Sequence, residues 1–442
     1  MYASAAILIL ILQTLGFGRN LPWSVLPFGL GHCLWTLISA AFLVWLTLNV
    51  FKNRPWGPAW LRPDAILRLA GKRISLMAYA LFVLPFLGFD ILKFRGEFGY
   101  GFPILHLVVL VFVVPFLRKD RLWLSFLFSL LFLAASIFHF PVHPDRSDML
   151  PVIRTGLDQW SSGLSSYQAF QLQGRQNFMS YLPGTMFFHL PAWWAGLDLR
   201  WNSILIRAIW MGLVLRMIRG RETWADKNGV TLAMHFFALS PYLGFRHDLY
   251  FEGFFLLLVL FFSSPKSRWI SWPIAIWTRQ WSWMLTPFVL GAQVLRGGAW
   301  DMKALARALI GFAGISLVFL FLLRHSTVQQ FGHAVFWFQG VIDLPGYSGD
   351  YGLTFAPVFF WMGASHALQK LQALLAFLLF GLALLEALRA RHVDWLRQAA
   401  VCWVVFLMLN PHFWLYFWLS PALFFGLLPF GEEKAENLRN HH

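Results

Sequence analysis

Long runs of apolar residues, separated by short polar connections, dominate this chain of 442 residues. A helix needs about 20 mostly apolar residues to cross the hydrocarbon core of a bilayer. The runs that approach this requirement are 4–16, 27–51, 76–94, 103–117, 122–140, 184–198, 202–218, 229–243, 250–264, 269–295, 306–323, 353–367, 371–388, 398–410 and 414–430. Because several are short or contain a proline or a charge, the pattern predicts about 11 to 13 complete crossings.

Two places interrupt this regular alternation of apolar runs and connections. Runs 184–198 and 202–218 lie where the charge distribution requires an odd number of crossings, so we expect one of them to be half-inserted or to lie along the interface. The run 269–295 contains the polar residues 278–280 near its middle, and we expect the helix to break there.

The composition sets the class of protein. The chain is 58% hydrophobic and 12% charged, whereas soluble globular proteins are about 25% charged. A soluble protein of this composition would expose large apolar patches and aggregate. Disordered, collagen-like, coiled-coil and disulfide-framework proteins are excluded by the same figures. The predicted fold class is therefore all-α, a polytopic bundle of transmembrane helices.

The excess of basic residues predicts the orientation of this bundle. There are 35 Lys and Arg residues against 20 Asp and Glu, a net charge of +15. In a membrane protein such an excess marks cytoplasmic loops rather than a nucleic-acid surface. With the basic clusters and both termini in the cytoplasm, the outward connections are 95–102, 141–183, 241–249, 324–352 and 410–414.

The longest outward connection, 141–183, carries most of the candidate chemistry. It contains the acids Asp145 and Asp148 and, among its cations, Arg175. Apolar residues at helical spacing predict an amphipathic helix on the membrane surface, starting at Asp148 and ending near Gly163. Asp148 is then either the cap of that helix or a functional carboxylate, and both interpretations stay open.

Three more groups of ionisable residues are candidates. Arg246 and His247 lie in an outward block and are either interfacial anchors or site residues. Arg279 lies in the middle of an apolar run, where a guanidinium needs a carboxylate or a phosphate as partner. His412 and Tyr416 stand among tryptophans in the last outward turn, where an aromatic belt and a binding site look alike.

Metal and nucleotide chemistry are less favoured. His139, His143, Asp145 and Asp148 are of types that suit a divalent ion, but their spacing matches no zinc signature. We therefore expect no cofactor. The sequence has no Walker A or GxGxxG pattern, so an activated donor would have to arrive through the membrane.

Several segments together resemble the GT-C superfamily of integral-membrane glycosyltransferases. The first outer loop of that family is similar to DRSDMLPVIRTGLDQWSSGLSSYQ, residues 145–168. The next block, YLPGTMFFHLPAWWAGLDLRWNS (residues 181–203), resembles a segment of that family in which a helix begins and is followed by a short polar turn. The blocks SPYLGFRHDLYFEG and NPHFWLYFWL resemble later outer turns. The similarity covers roughly 120–430. This chain departs from the family pattern at two positions: it has no proline before Tyr167, and it has Leu182 where the family has a proline.

The resemblance implies an activity and roles for residues. Family members transfer a sugar, often mannose, from a polyprenyl-phosphate donor to a hydroxyl and invert the anomeric centre. Asp148 would be the general base, with Asp145 as the fallback. The residues expected to bind substrate or the lipid phosphate are Arg279, Arg246, His247, His412, Tyr416 and Arg175.

The resemblance also implies an organisation and a location. Residues 1–121 would form additional N-terminal transmembrane helices, and 122–442 the catalytic module. The partners would be the lipid-linked donor, a glycan, lipid or protein acceptor, and membrane lipids, without nucleic acid. We expect a multi-pass protein of the bacterial plasma membrane whose site faces the periplasm or the outside.

Two other functions stay open. A transporter or flippase for lipid-linked sugars would place acids deep within helices and show repeat symmetry. An O-antigen-ligase-like enzyme would rely on outward Arg and His residues without an essential acid. The variant Asp148→Asn separates this last alternative from a general-base mechanism.

Overall fold

The computed structural model describes residues 28–51, 122–139, 149–218, 252–296, 299–336, 354–389, 394–410 and 420–428, with the single residues 5, 8, 142 and 418. Of these residues, 79% are helical. The helices are α1 Phe28–Leu46, α2 Leu122–His139, α3 Met149–Ser161, α4 Pro183–Trp194, α5 Arg200–Ile218, α6 Glu252–Ser263, α7 Pro265–Thr278, α8 Trp281–Val294, α9 Met302–Leu322, α10 Val328–Val335, α11 Ala356–Trp361, α12 Ser365–Arg389 and α13 Trp395–Met408.

Two short β-hairpins, one turn of π-helix and a further helical stretch complete the described secondary structure. Strand β1, Phe170–Leu172, pairs antiparallel with β2, Arg175–Asn177. Strand β3, Leu295–Arg296, pairs in the same way with β4, Ala299–Trp300. Helix α1 continues as a turn of π-helix, and residues 420–428 are helical. The predicted all-helical character is thus confirmed apart from two small hairpins.

Helices α9 and α12 are long and apolar enough to cross a membrane. The segments Met302–Leu322 and His366–Glu386 have 21 residues each and mean hydropathies of 2.2 and 1.9. Only 17% and 11% of the residues in their most apolar windows are buried by other parts of the protein. In the described part of the chain these are the two helices that meet the requirement, so the predicted 11 to 13 crossings stay a prediction.

Helices α6 and α13 form the centre of the protein core. Nine of the 12 residues of α6 and 12 of the 14 residues of α13 are buried. Phe254 of α6, Trp281 of α8 and Trp403 of α13 pack against one another, with ring centroids 6.0 to 6.3 Å apart. Aromatic rings bury a large apolar area, and this cluster fixes the beginning of α8 against both core helices.

Helices α7 and α8 form an antiparallel helical hairpin. The indole Nε1–H of Trp272 donates to Thr286 Oγ1 at 3.2 Å, and Ser282 Oγ donates to the Ala275 carbonyl at 2.9 Å. The predicted break at 278–280 is confirmed. The two arms double back instead of continuing in one direction, so the two ends of the hairpin lie together. Each arm has 14 residues, about 21 Å of helix.

Helix α9 packs beside the first arm and runs in the same direction. The Arg307 guanidinium lies over the Trp269 ring at 5.6 Å, and Trp277 Nε1–H donates to Ser316 Oγ at 2.9 Å. We call the end with Lys266, Arg268, Lys303 and Arg307 the basic end. Segments 149–182 and 324–336 lie near the other end of α9, which we call the loop end.

The irregular pair of runs at 184–218 becomes two helices of different length. Helix α4 has 12 residues, about 18 Å, which is too short for a crossing. A turn through Gly196, whose φ is +68°, separates it from α5, which has 19 residues. One of the two runs is therefore too short for a crossing, while the expectation that it is half-inserted or lies along the interface stays a prediction.

Candidate functional site

The amphipathic helix predicted in the longest outward connection is present as α3. Its apolar face, which includes Val152, Ile153 and Leu157, is buried, while Arg154 and Asp158 are exposed. Trp193 Nε1–H of α4 donates to Asp158 Oδ1 at 2.7 Å. A buried apolar face and a hydrogen bond thus hold α3 against α4 at the loop end.

Helix α3 ends at the position where its sequence breaks the helical pattern. The Leu164 amide donates to the Gln159 carbonyl at 2.9 Å. Gly163 has φ of +76°, a conformation that glycine adopts without steric cost. The predicted helix end near Gly163 is confirmed.

The connection from α3 to α4 folds back through buried polar contacts. Tyr167 O–H donates to the Tyr181 carbonyl at 2.9 Å, and Ser165 Oγ donates to Ser326 Oγ at 2.8 Å. Burial raises the pKa of the Tyr167 phenol well above its ordinary value. The β1–β2 hairpin lies between these contacts along the chain, and Arg175 on β2 is exposed.

Residues 324–336 cover this connection. Phe331 packs edge-on against Tyr167 at 5.0 Å, and His333 packs against Phe178 at 4.8 Å. The Arg324 guanidinium lies 5.2 Å from the Trp160 ring centroid. Two connections that the charge pattern predicts on the same side of the membrane therefore pack together, which agrees with that prediction.

Arg279 lies at the apex of the α7–α8 hairpin. Its backbone is extended, with φ of −141° and ψ of 132°, and the residue is 3% exposed. The guanidinium carbon lies 5.5 Å from the ring centroid of Trp281. The chain reversal thus carries a permanently charged side chain into the protein interior, which is costly unless polar groups surround it.

The apex is attached both to the segment that leads into α4 and to the first turn of α4. Gln280 Nε2 donates to the Ser180 carbonyl at 3.0 Å, and Thr185 Oγ1 donates to the Thr278 carbonyl at 3.1 Å. A Cβ on Gly184 would lie 2.7 Å from the Trp277 carbonyl oxygen. Only glycine therefore permits this close approach, which joins two regions about 100 residues apart in sequence.

Two features of the apex carry positive charge. Helix α8 begins beside Arg279, and the first amide groups of a helix carry a partial positive charge. A guanidinium adds a full charge and a planar set of donors that matches phosphate or carboxylate oxygens. In a medium of low dielectric constant this combination favours an anion over a neutral ligand.

A second buried arginine was missed by the sequence analysis. Arg207 of α5 donates from Nη2 to Glu252 Oε1 of α6 at 2.7 Å, and the two side chains are 0% and 1% exposed. Arg207 lies inside the apolar run 202–218. A charge within such a run requires a partner, as we argued for Arg279, and the same reasoning would have identified it.

The remaining candidates fall into two groups. Asp145, Asp148, Arg246, His247, His412 and Tyr416 lie outside the described residues. Of the candidates that are described, Arg279 is brought to the end of the first outer segment and Arg175 faces solvent. In the described ranges, no three His, Cys, Asp or Glu side chains are grouped as metal ligands.

Comparison with known proteins gives no relative. No protein-family model, no curated protein and no solved structure matches this chain. The resemblance to GT-C glycosyltransferases therefore rests on the segments quoted above. What the structure itself gives is a mainly helical protein that has two helices able to cross a membrane and a buried arginine at a hairpin apex.

Proposed function

We propose that this chain is a polytopic membrane glycosyltransferase of the bacterial plasma membrane. It transfers a sugar, mannose in the leading case, from a polyprenyl-phosphate donor to an acceptor hydroxyl on the extracytoplasmic face. The observation that carries the proposal is the hydrogen bond that attaches the Arg279 apex, through Gln280, to Ser180 at the end of segment 141–183. The beginning of that segment holds Asp145 and Asp148.

The surface of α9 and α12 supports a location in the membrane. Leu317, Phe321 and Phe377 are 69%, 56% and 76% exposed. Many further apolar side chains of the same two helices are exposed, and helices with so much exposed apolar surface are not stable in water. A bilayer is the solvent in which such a surface carries no penalty.

The proposed reaction is a single displacement. An aspartate of ordinary pKa, about 4, is ionised at neutral pH, so Asp148 can accept the proton of the acceptor hydroxyl. The hydroxyl oxygen then forms a bond to the anomeric carbon, and the bond from that carbon to the phosphate oxygen breaks. The phosphate leaves with the electron pair, and its growing negative charge is stabilised by Arg279.

The other candidate residues complete this site in the proposal. Arg246 and His412 add donors for the lipid phosphate, and His247, Tyr416 and Arg175 contact the sugar or the phosphate. The acceptor is a glycan, lipid or protein hydroxyl. No cofactor and no nucleic acid take part.

The test measures transfer of radiolabelled mannose from a polyprenyl-phosphate donor into envelope acceptors, with the full chain in native membranes. Asp148→Asn should lower the rate at least about 100-fold, the usual contribution of a general base. Arg279→Gln should have an effect of similar size, and Arg279→Lys a smaller one. Arg154→Gln, exposed on α3, is the matched control and should leave the rate unchanged.

The alternatives give different results in the same set of variants. Transfer that survives both Asp148→Asn and Asp145→Asn contradicts the general-base mechanism. If Arg279→Gln alone abolishes transfer, the O-antigen-ligase-like mechanism replaces it. If neither the wild type nor any variant transfers sugar, but the purified protein moves the lipid-linked sugar across the bilayer of vesicles, the chain is a flippase.

A further inference from the structure

A cavity of about 260 Å³ lies between the two arms of the α7–α8 hairpin and helix α9. Trp272 and Ile276 line it from the first arm, Leu290 from the second, and Ala308 from α9. Its walls are almost entirely apolar, so the ligand that it favours is a hydrocarbon rather than a polar metabolite.

The cavity communicates with the apolar surface of α9. Leu309 and Phe312 line it, and they are 58% and 40% exposed. Ile310, the next residue, is 72% exposed on the same helix. Because α9 is long and apolar enough to cross a membrane, a hydrocarbon chain can enter the cavity laterally from the bilayer.

The basic end of the cavity is positively charged. Arg268 lines it and donates from Nε to the Phe261 carbonyl at 3.0 Å. Arg307 lies over Trp269, another lining residue. Asp301 is the only acid between residues 264 and 310, and its carboxylate caps α9 by accepting from the Ala304 amide at 2.9 Å. The mouth therefore carries guanidinium groups that a nearby anion would neutralise.

Gln293 is a second, independent indication of a ligand. It lines the cavity at the same end as Arg268 and is 8% exposed. In the described part of the chain its Nε2 has no hydrogen-bond partner. A buried donor without an acceptor costs free energy, and an ester or phosphate oxygen at the mouth of the cavity would supply that acceptor.

We propose that this cavity binds one acyl chain of an anionic phospholipid from the leaflet at the basic end. The acyl chain fills the space between Trp272, Leu290 and Ala308. Arg268 and Arg307 bind the headgroup phosphate, and Gln293 donates to a lipid oxygen. The inference rests on the membrane location proposed above and is independent of glycosyl transfer.

Native mass spectrometry of the full chain in detergent tests this site. The protein is titrated with phosphatidylglycerol and with phosphatidylcholine of identical acyl chains. The wild type should retain one phosphatidylglycerol in preference to phosphatidylcholine. Arg268→Gln combined with Arg307→Gln should weaken phosphatidylglycerol binding by about tenfold, because hydrogen bonds to charged groups are lost. Gln293→Leu keeps the volume and should weaken the binding of both lipids, because both carry the ester and phosphate oxygens to which Gln293 would donate.

Matched variants distinguish this cavity from general lipid contact. Ala308→Trp fills the cavity and should remove the retained lipid, whereas Ile310→Trp changes an exposed position of the same helix and should not. Lys303→Gln removes one exposed charge and should change binding by about twofold or less.

The proposal is overturned if Ala308→Trp and Ile310→Trp lose phosphatidylglycerol binding to the same extent. It is also overturned if Lys303→Gln weakens that binding as much as the double arginine variant does. If Ala308→Trp does not fold, the arginine and glutamine variants decide in its place. None of these residues belongs to the proposed transfer site, so loss of lipid binding leaves transfer intact. A chain that cannot be reconstituted into vesicles contradicts the membrane location itself.

Discussion

Helices α6 and α13 have the same apolar character as α9 and α12, yet their surroundings are opposite. In α13 nearly every residue from Trp395 to Met408 is buried by protein. In α9 most residues from Met302 to Leu322 are not. The first pair is solvated by other side chains, and the second pair, in our proposal, by lipid tails.

This difference shows what holds each pair in place. The buried pair is fixed by interlocking aromatic rings and, at the start of α6, by the Arg207–Glu252 ion pair. The exposed pair needs only to match the hydrocarbon around it, since no hydrophobic driving force acts between helices in lipid. Substitutions of the same kind should therefore have different effects in the two pairs.

The largest effect is expected at the buried ion pair. Glu252→Ala removes the carboxylate from a fully buried guanidinium and should cost about 3–5 kcal/mol of unfolding free energy. Arg207→Met combined with Glu252→Leu should cost less than either single change. The control is Glu386→Ala on exposed α12, which loses one hydrogen bond from Gln398 and should cost about 1 kcal/mol. Equal destabilisation of both glutamate variants in denaturant titrations would contradict the comparison.

A charge on the exposed pair tests its solvent directly. Phe377→Arg should cost about 2.5–3.5 kcal/mol in membrane insertion, the usual value for arginine at the centre of a transmembrane helix. In water the same change at a position 76% exposed would have little effect. Insertion is measured from the glycosylation of sites flanking the helix, with Phe377→Leu as the control. Normal insertion of the arginine variant would show that α12 does not lie in hydrocarbon.

A third pair of variants compares a glycine in close contact with another backbone segment, Gly184, with a glycine where an added Cβ would meet open space, Gly314. Gly184→Ala forces the apex of the hairpin away from α4 and should destabilise the protein by about 1–3 kcal/mol. Gly314→Ala on α9 meets no atom within 4 Å and should stabilise its helix by about 0.5–1 kcal/mol. Thermal unfolding of the two variants should therefore shift in opposite directions, and a shared direction would contradict the packing at Gly184.

The smallest effect concerns Tyr167 at the loop end. Tyr167→Phe loses the hydrogen bond to the Tyr181 carbonyl and should cost about 0.5–1.5 kcal/mol at neutral pH. The unfolded chain releases the phenol proton near pH 10, whereas burial raises the pKa in the folded protein. Wild-type stability should consequently fall above about pH 10, and this part of the decrease should be absent in the variant. Identical alkaline profiles would indicate that Tyr167 is accessible to water.

Part of the fold could be predicted from the sequence because local patterns determine it. The periodicity after Asp148 predicted helix α3 and its end near Gly163, and the polar residues at 278–280 predicted the break in the apolar run. The reversal of direction at Arg279 could not be predicted. It depends on contacts with Ser180 and Thr185, which are about 100 residues away and form no local pattern.

In the candidate site, too, features set by local sequence could be predicted and features set by distant contacts could not. Arg279 was identified because a charge in an apolar run stands out, and its position beside the first outer segment emerged only from the structure. Arg207 has the same signal, but its partner Glu252 is 45 residues away and had been grouped with the outer block. Periodicity also could not distinguish α13 from α9, because burial by protein and exposure to lipid select the same residue types.

The attachment of the hairpin apex to Ser180 and to the first turn of α4 has a consequence for biosynthesis. Chains are made from the N-terminus, so Ser180 and Thr185 are synthesised well before Thr278 and Gln280 emerge from the ribosome. In the proposed membrane location, the Ser180 carbonyl and the Thr185 hydroxyl that contact the apex are thus present before Arg279 enters the membrane. Cysteines at 185 and 278 should crosslink in a translation-arrested chain that ends shortly after α9. If they crosslink only after the full chain is released, the hairpin enters unassisted.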